Sequence, residues 1–595
     1  VTSKKLGLSL SVWIMLSLLL TASFTITPAA AVAKGQSGRY IAKAKSAADY
    51  NELRNEATKS GATIVTDLPE LNTLVVQASA DSQVQLSGSL HLESLAKDQV
   101  RTLIQPEGMQ TVTALKQGKL PERTRISLDP ASSLPGLMWN LDRIHTQEAW
   151  KYTTGKPSVI VGVADTGLDY THSELASQVL DVVNLTDPTL CKDYYDLSDS
   201  DLPAYFGVPA NIAPVNGDWN GHGSWIGGNI AGALDGKGIN GIAPNTKLVA
   251  LKISEWCGSA YDSSILNAFL YAADHGIDVV SISFGGYLDR SDPEQDAIYK
   301  AYEDVVEYAW QKGTVIVAAA GNEHLRIGEG GKVLSHGPLT TPGTSVGNFY
   351  DYYGLYEVPG GIKHVVDVSA TGNLVNKSSA SCPTGSTTYP NAVCKPTSDS
   401  HQPAGAGKKN QLTYYSNYGS RIDIAAPGGA RKFNLPNYDG GGTPGYPVTT
   451  ADGTTAWEDF SITSNWATQI PCDWIDNPNF YQNECYSTIQ GTSMATPHVS
   501  AVIALTASYN PSIRHNPAKL VAAVKAGATE VEGNTTQPLS ATDTSAGDLT
   551  GLPCPTGYCH LGGKAISDRE AYGAGLVNAL GAILESKRYS GRNSD

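Results

Sequence analysis

Little of this sequence is charged, and less of the charge is positive. Asp, Glu, Lys and Arg make up 17% of the 595 residues, and 42 Lys and Arg face 57 Asp and Glu, for a net charge of −15. That balance excludes nucleic acid as the main partner and suits a soluble extracellular protein. The charge is low, yet 41% of the residues are apolar and 60 are glycine, which excludes disorder and points to a globular chain rich in turns. No cysteine precedes Cys191, so no lipoprotein attachment is expected near the start. Beyond the run Leu6 to Leu20 no stretch could span a bilayer, the last residues carry no apolar tail, and no stable membrane anchor is expected. No internal period signals a repeat architecture.

The run Leu6 to Leu20 itself follows Lys4 and Lys5 and precedes the small residues Pro28-Ala29-Ala30-Ala31-Val32-Ala33. This is the pattern of an export signal over 1–33, and it predicts a secreted, extracellular protein. The eight cysteines agree. Cys382 lies near Cys394, Cys472 near Cys485 and Cys554 near Cys559, which leaves Cys191 and Cys257 as a fourth pair. They read as loop-stapling disulfides, although sequence alone permits many other pairings, and the spacing is not of the paired C-x2-C type that holds zinc.

Residues 34–104 are predicted to hold a small α+β domain. Tyr40-Ile41-Ala42, Ala62 to Val65 and Asn72 to Val76 read as strands, Ala47 to Thr58 and Ser82 to Ser87 as helices, and Val100 to Ile104 as a last strand. That order is compatible with a ferredoxin-like β-α-β-β-α-β unit. A polar linker follows at 105–135, a good site for proteolytic nicking. From 136 to 585 apolar strands alternate with small-residue helices. The strand candidates are Val159 to Ala164, Lys247 to Ile253, Val279 to Ser283, Val315 to Ala319 and His364 to Val368; helices are expected at Ser263 to His275 and Asp296 to Gln311. Continuous Val/Ile/Ala runs between helices predict an α/β domain with a buried, mostly parallel sheet, whose chemistry sits at the carboxyl ends of its strands. Insertions are expected near 185–215, 326–361, 372–412 and 430–488, with a tail at 586–595.

Three segments carry chemistry. Ser493 lies in Gly491-Thr492-Ser493-Met494-Ala495-Thr496-Pro497-His498, at the start of a small-residue helix where N–H groups and the dipole favour developing negative charge. Asp165 ends a strand and precedes Thr166-Gly167. An aspartic protease would need a second such carboxylate, and the chain has one Asp-Thr-Gly. His222 lies in Asn220-Gly221-His222-Gly223-Ser224-Trp225, with glycines that permit close backbone approach. A serine hydroxyl is a weak nucleophile until an imidazole takes its proton, and a carboxylate fixes that imidazole's tautomer. The order Asp, His, Ser excludes the α/β-hydrolase order and the chymotrypsin order, and position 495 is Ala where a Gly-x-Ser-x-Gly elbow needs Gly.

With these motifs, residues 136–585 resemble the subtilisin family (subtilases, peptidase family S8), secreted serine endopeptidases made with an inhibitory propeptide. The resemblance implies a three-layer α/β fold and a catalytic triad of Asp165, His222 and Ser493. Ala318-Ala319-Ala320-Gly321-Asn322 resembles the segment whose asparagine completes the oxyanion hole, so Asn322 is expected to donate there beside the Ser493 N–H. Ser281-Ile282-Ser283-Phe284-Gly285-Gly286 resembles the substrate-binding strand. Ser283, Gly285, Ala318, Ala319 and Gly321 would then wall an uncharged pocket favouring large apolar residues before the scissile bond. The domain at 34–104 is expected to act as propeptide and intramolecular inhibitor, with self-maturation in the linker 105–135.

The chain departs from the family in having Trp225 where a second, non-catalytic histidine is usual, and in an insertion containing Cys191 between Asp165 and His222. No cofactor is expected for catalysis. A structural calcium is expected at Glu174 and the loop carrying Ala233, Asp235, Lys237 and Ile239, which supplies a carboxylate and carbonyls for a hard cation. The partners implied are protein or peptide substrates. Two other readings fit the residues: a dedicated maturation protease of narrow specificity, and a non-catalytic binding protein on the same scaffold.

Overall fold

The computed structural model describes residues 37–104, 107–111, 138–209, 213–236, 238–335, 352–373, 409–413, 415–429, 447–449, 455–457, 462–468, 485–533 and 565–589. The expected signal, most of the linker, much of the three later insertions, and Cys382, Cys394, Cys472, Cys554 and Cys559 lie outside them.

The largest sheet of the described residues has eight strands. Seven run in the order Lys409–Leu412, Val365–Asn373, Val315–Ala319, Val279–Ile282, Ile160–Asp165, Lys247–Lys252 and Val179–Asn184, and Ile424–Pro427 also pairs with Val365–Asn373. All pairings are parallel except that of Lys409–Leu412. The inner strands are buried on both faces, which is why they read as unbroken apolar runs. One face packs on helices His222–Ala231, Thr492–Tyr509 and Ala579–Ser586 through Val161, Val163, Ile226, Val499 and Val502. The other packs on Asp262–Asp274 and Pro293–Lys312 through Ala164, Val280, Phe269 and Tyr302. The result is a three-layer α/β domain.

The N-terminal domain has a four-stranded antiparallel sheet in the order Thr63–Leu68, Thr73–Ala78, Gly38–Ala44, Leu92–Lys97, with helices Ala47–Lys59 and Ala80–Ser87. Its fourth strand is Leu92–Lys97, not the expected Val100 to Ile104. The segment Leu-Glu-Ser-Leu-Ala-Lys is a half-exposed edge strand without a clean alternation, so periodicity passes over it. Val100–Leu103 leaves the domain and joins a separate four-stranded sheet with Ser259–Tyr261, Phe284–Leu288 and Tyr356–Val358. Within the expected linker lies a strand, Glu107–Thr111, and within the expected tail the chain is helical to Tyr589, with Ser586 buried in helix Ala579–Ser586.

The two domains meet in buried charge pairs as well as apolar contacts. Arg101 donates to both oxygens of Asp262 at 2.7 and 2.9 Å. Asp98 accepts from Arg39 Nε at 2.8 Å and from the Ser263 N–H at 3.0 Å, in the first turn of helix Asp262–Asp274. A carboxylate there meets unsatisfied N–H groups and the positive end of the helix dipole. Burial nevertheless pushes the Asp98 carboxyl up to about 6, against the pull of Arg39 and with the repulsion of Asp262.

Candidate active site

Asp165 ends its strand at the carboxyl edge of the sheet, 1% exposed. Its two oxygens lie 2.9 and 3.0 Å from His222 Nδ1, and Oδ1 also accepts from the Thr166 N–H at 2.8 Å. His222 opens the helix His222–Ala231, whose start is pressed on the Asp165 loop: a Cβ on Gly223 would lie 2.1 Å from the Gly167 carbonyl. That approach requires glycine. His222 Nε2 is buried and has no hydrogen-bond partner among the described residues.

Asp218, which the motifs did not single out, braces this corner. Its Oδ1 accepts from Thr166 Oγ1 at 2.9 Å and from the N–H groups of Asn220 and Gly221 at 3.0 and 2.8 Å. Its Oδ2 accepts from the N–H and the hydroxyl of Ser224 at 2.8 and 2.7 Å. One buried carboxylate therefore ties the Asp165 turn to the His222 helix start. The Asp-Trp-Asn-Gly-His run held the signal, an aspartate shortly before a Gly-rich helix start.

Ser493 is fully buried in the first turn of helix Thr492–Tyr509. Its hydroxyl donates to the carbonyl of Ile104 at 2.9 Å. Asn322 Oδ1 accepts from the Thr492 N–H at 2.9 Å and the Thr492 hydroxyl at 2.8 Å, which turns the donor half of the amide the other way. The Thr492 hydroxyl oxygen also accepts from the Gly321 N–H at 3.2 Å. His498, in the same motif, is structural: its Nδ1 faces the Met494 carbonyl at 2.8 Å, its Nε2 faces Asn140 Nδ2 at 2.9 Å, and burial pushes it down to about 4.

Strand Val100–Leu103 lies between Ser259–Tyr261 and Phe284–Leu288, antiparallel to both. The Leu103 N–H donates to the Gly258 carbonyl at 2.8 Å and the Ile104 N–H to the Ser283 carbonyl at 2.9 Å. The Ile104 side chain rests over Gly285, where an added Cβ would lie 3.6 Å from Ile104 Cδ1 and 2.7 Å from the Val358 carbonyl. Ala318 and Ala319 are buried in strand Val315–Ala319, which leads to Gly321. Near Gly321 stand three polar groups that the sequence did not suggest: Glu323 accepts from the Tyr287 hydroxyl at 2.7 Å and from Asn417 at 3.3 Å. Burial raises the Glu323 carboxyl.

Cys191 and Cys257 form a disulfide with Cα atoms 5.7 Å apart. It ties the helix Pro188–Tyr195 of the first insertion to the loop before Ser259–Tyr261, which flanks the cleft. Trp225 is fully buried, and its indole N–H donates to the Ser487 carbonyl at 3.0 Å.

Of the expected calcium ligands, Glu174 is buried. Glu174 Oε1 already accepts from the Ile239 N–H at 3.0 Å and from the Tyr486 hydroxyl at 2.9 Å. Ala233 is half-buried and Asp235 is exposed, while Lys237 lies outside the described residues. Among the described residues no three His, Cys, Asp or Glu side chains gather to hold a metal, and no helix is long and apolar enough to cross a membrane.

The family model of the subtilases matches residues 156–545, more than half of the chain. The chain belongs to the subtilase family of serine peptidases. Among curated subtilases, a thermophilic serine proteinase of Bacillus sp. (strain AK1) is 34% identical over 188 residues, 31% of this chain and 39% of that protein. Thermitase of Thermoactinomyces vulgaris is 26% identical over 371 residues, 62% of this chain and 82% of that protein. The match thus spans well under half the length of the first relative and most of the second. Among solved structures, the epidermin leader peptide processing serine protease of Staphylococcus aureus superposes with a TM-score of 0.56 at 18% identity, over 92% of this chain and 98% of that one. At that identity the likeness is one of fold.

Proposed function

We propose that the protein is a secreted serine endopeptidase that matures by cutting its own chain after Ile104. The observation that carries this reading is the Ser493 hydroxyl 2.9 Å from the carbonyl oxygen of Ile104, on a strand hydrogen-bonded into the cleft. The buried Asp165–His222 pair, which with Ser493 keeps the subtilase order, supports it.

In the reaction Ser493 Oγ attacks the Ile104 carbonyl carbon while its proton passes to His222 Nε2, and Asp165 holds Nδ1–H and offsets the imidazolium charge. The oxyanion takes hydrogen bonds from the Asn322 amide and the Ser493 N–H. His222 then protonates the departing nitrogen of Gln105, and water releases the acyl-enzyme by the reverse path. After the cut, residues 34–104 act as inhibitor, because Val100–Leu103 fills the place of a substrate strand and Arg101 and Asp98 anchor it. Main-chain pairing accepts many sequences. The Ile104 side chain over Gly285 supports a preference for large apolar residues before the cut.

A fluorophosphonate serine label tests this reading. Mapped by peptide mass after processing, it should form one adduct, at Ser493, and none in Ser493→Ala. Absence of an adduct in processed protein would favour a binding protein on a subtilase scaffold.

A further inference from the structure

Strand Glu107–Thr111 joins neither the N-terminal domain nor the large sheet. It pairs antiparallel with Cys485–Gln490, with Glu107 opposite Gln490, Gln110 opposite Thr488 and Thr111 opposite Ser487. Cys485–Gln490 runs straight into Gly491-Thr492-Ser493. The chain is therefore held on both sides of the nucleophile, between two strands before Ile104 and along one strand after it. Counted from the bond that follows Ile104, Glu107 is the third residue and Thr111 the seventh.

We infer that Cys485–Gln490 is a docking edge for the third to seventh residues beyond the cut of an extended polypeptide substrate, read through main-chain hydrogen bonds. This rests on the proposed hydrolysis at the same site. The edge is built firmly. Its far side pairs with Ile462–Trp466 in register from Ile462 opposite Ile489 to Trp466 opposite Cys485. Both strands are tied to the His222 helix: Ser464 Oγ donates to the Trp225 carbonyl at 2.8 Å, and Trp225 Nε1 donates to the Ser487 carbonyl at 3.0 Å. The occupant of the edge is a segment of this same chain, and a substrate strand takes its place by adding to the sheet in the same way. Backbone pairing selects for length and extension, not for side chains, and it rejects proline, which has no N–H to give. The ligand class is thus a flexible polypeptide that continues at least seven residues past the cut.

The test compares quenched peptides with a common sequence before the cut and two, five or seven residues after it. It uses the processed protein and a Met109→Pro, Gln110→Pro form whose own segment no longer holds the edge. In the double-proline form, kcat/KM should rise at least tenfold from two to seven residues, chiefly through KM. Exchanging side chains among Ala, Ser, Thr and Val at the third to seventh positions should keep that gain, and prolines at the fifth and sixth should abolish it. The unmodified protein should show a smaller gain, because its own segment competes. Equal kcat/KM for the short and long peptides in both forms overturns the docking edge while leaving the hydrolase intact. Failure to cut any peptide, in a form that folds, contradicts the hydrolase reading itself.

Discussion

Trp225 Nε1 lies 3.0 Å from the Ser487 carbonyl oxygen, so the helix that carries His222 is bonded to the strand that leads into Ser493. A residue that departs from the family pattern thus joins the elements that carry the proposed base and the proposed nucleophile. Trp225→Phe keeps an aromatic ring, deletes the N–H and leaves a buried carbonyl short of its donor. The expected loss is about 1–3 kcal/mol of stability, measured by denaturant unfolding of Ser493→Ala protein.

Asp218→Ala removes the brace between the Asp165 turn and the His222 helix start. Misplacement of the base should lower kcat by about tenfold or more, near 1.4 kcal/mol of barrier, with KM little changed. Asp218→Asn should recover part of the loss, because one amide oxygen still accepts from Thr166. Steady-state kinetics of the two variants decide the point.

Asn322→Ala deletes the proposed oxyanion donor. The expected fall in kcat is about 100- to 1000-fold, or 2.7–4 kcal/mol, at nearly constant KM. A comparable rise in KM with unchanged kcat would assign Asn322 to substrate binding instead.

The N-terminal domain should dock with a pH dependence set by Asp98, which faces Arg39, Ser263 and Asp262. Its bound carboxyl is raised to about 6, so the stability it contributes is fully present below its ordinary value near 4 and is lost as pH rises through 6. Limited proteolysis of uncleaved Ser493→Ala protein should therefore show tighter docking at pH 4 than at pH 7, and Asp98→Asn should flatten that slope.

A structural calcium at Glu174 would make the melting midpoint fall by several degrees in EDTA and return with calcium; an unchanged midpoint would leave Glu174 to the donors from Ile239 and Tyr486.

Much of this was legible in the sequence where one local signal dominated. Strands such as Val315–Ala319 are buried on both faces, so their apolar runs report the sheet directly. Asp165, His222 and Ser493 stand in motifs that short-range sterics dictate, such as Gly223 against Gly167. What stayed hidden was long-range pairing. Nothing local in Leu92–Lys97 marks an edge strand, and nothing in Val100–Leu103 says that it pairs with Ser259–Tyr261 and Phe284–Leu288 rather than with its own domain. The partners of Glu174 also come from distant residues, Tyr486 among them, which no local signal shows.

The most direct measurement is the new N-terminus released when the chain first cuts itself, read by sequencing or intact mass together with the Ser493→Ala protein. The account predicts a fragment ending at Ile104, a product beginning at Gln105, and no cut in Ser493→Ala. An intact Ile104–Gln105 bond after a first cut elsewhere, or normal processing of Ser493→Ala in a protease-free preparation, would contradict it.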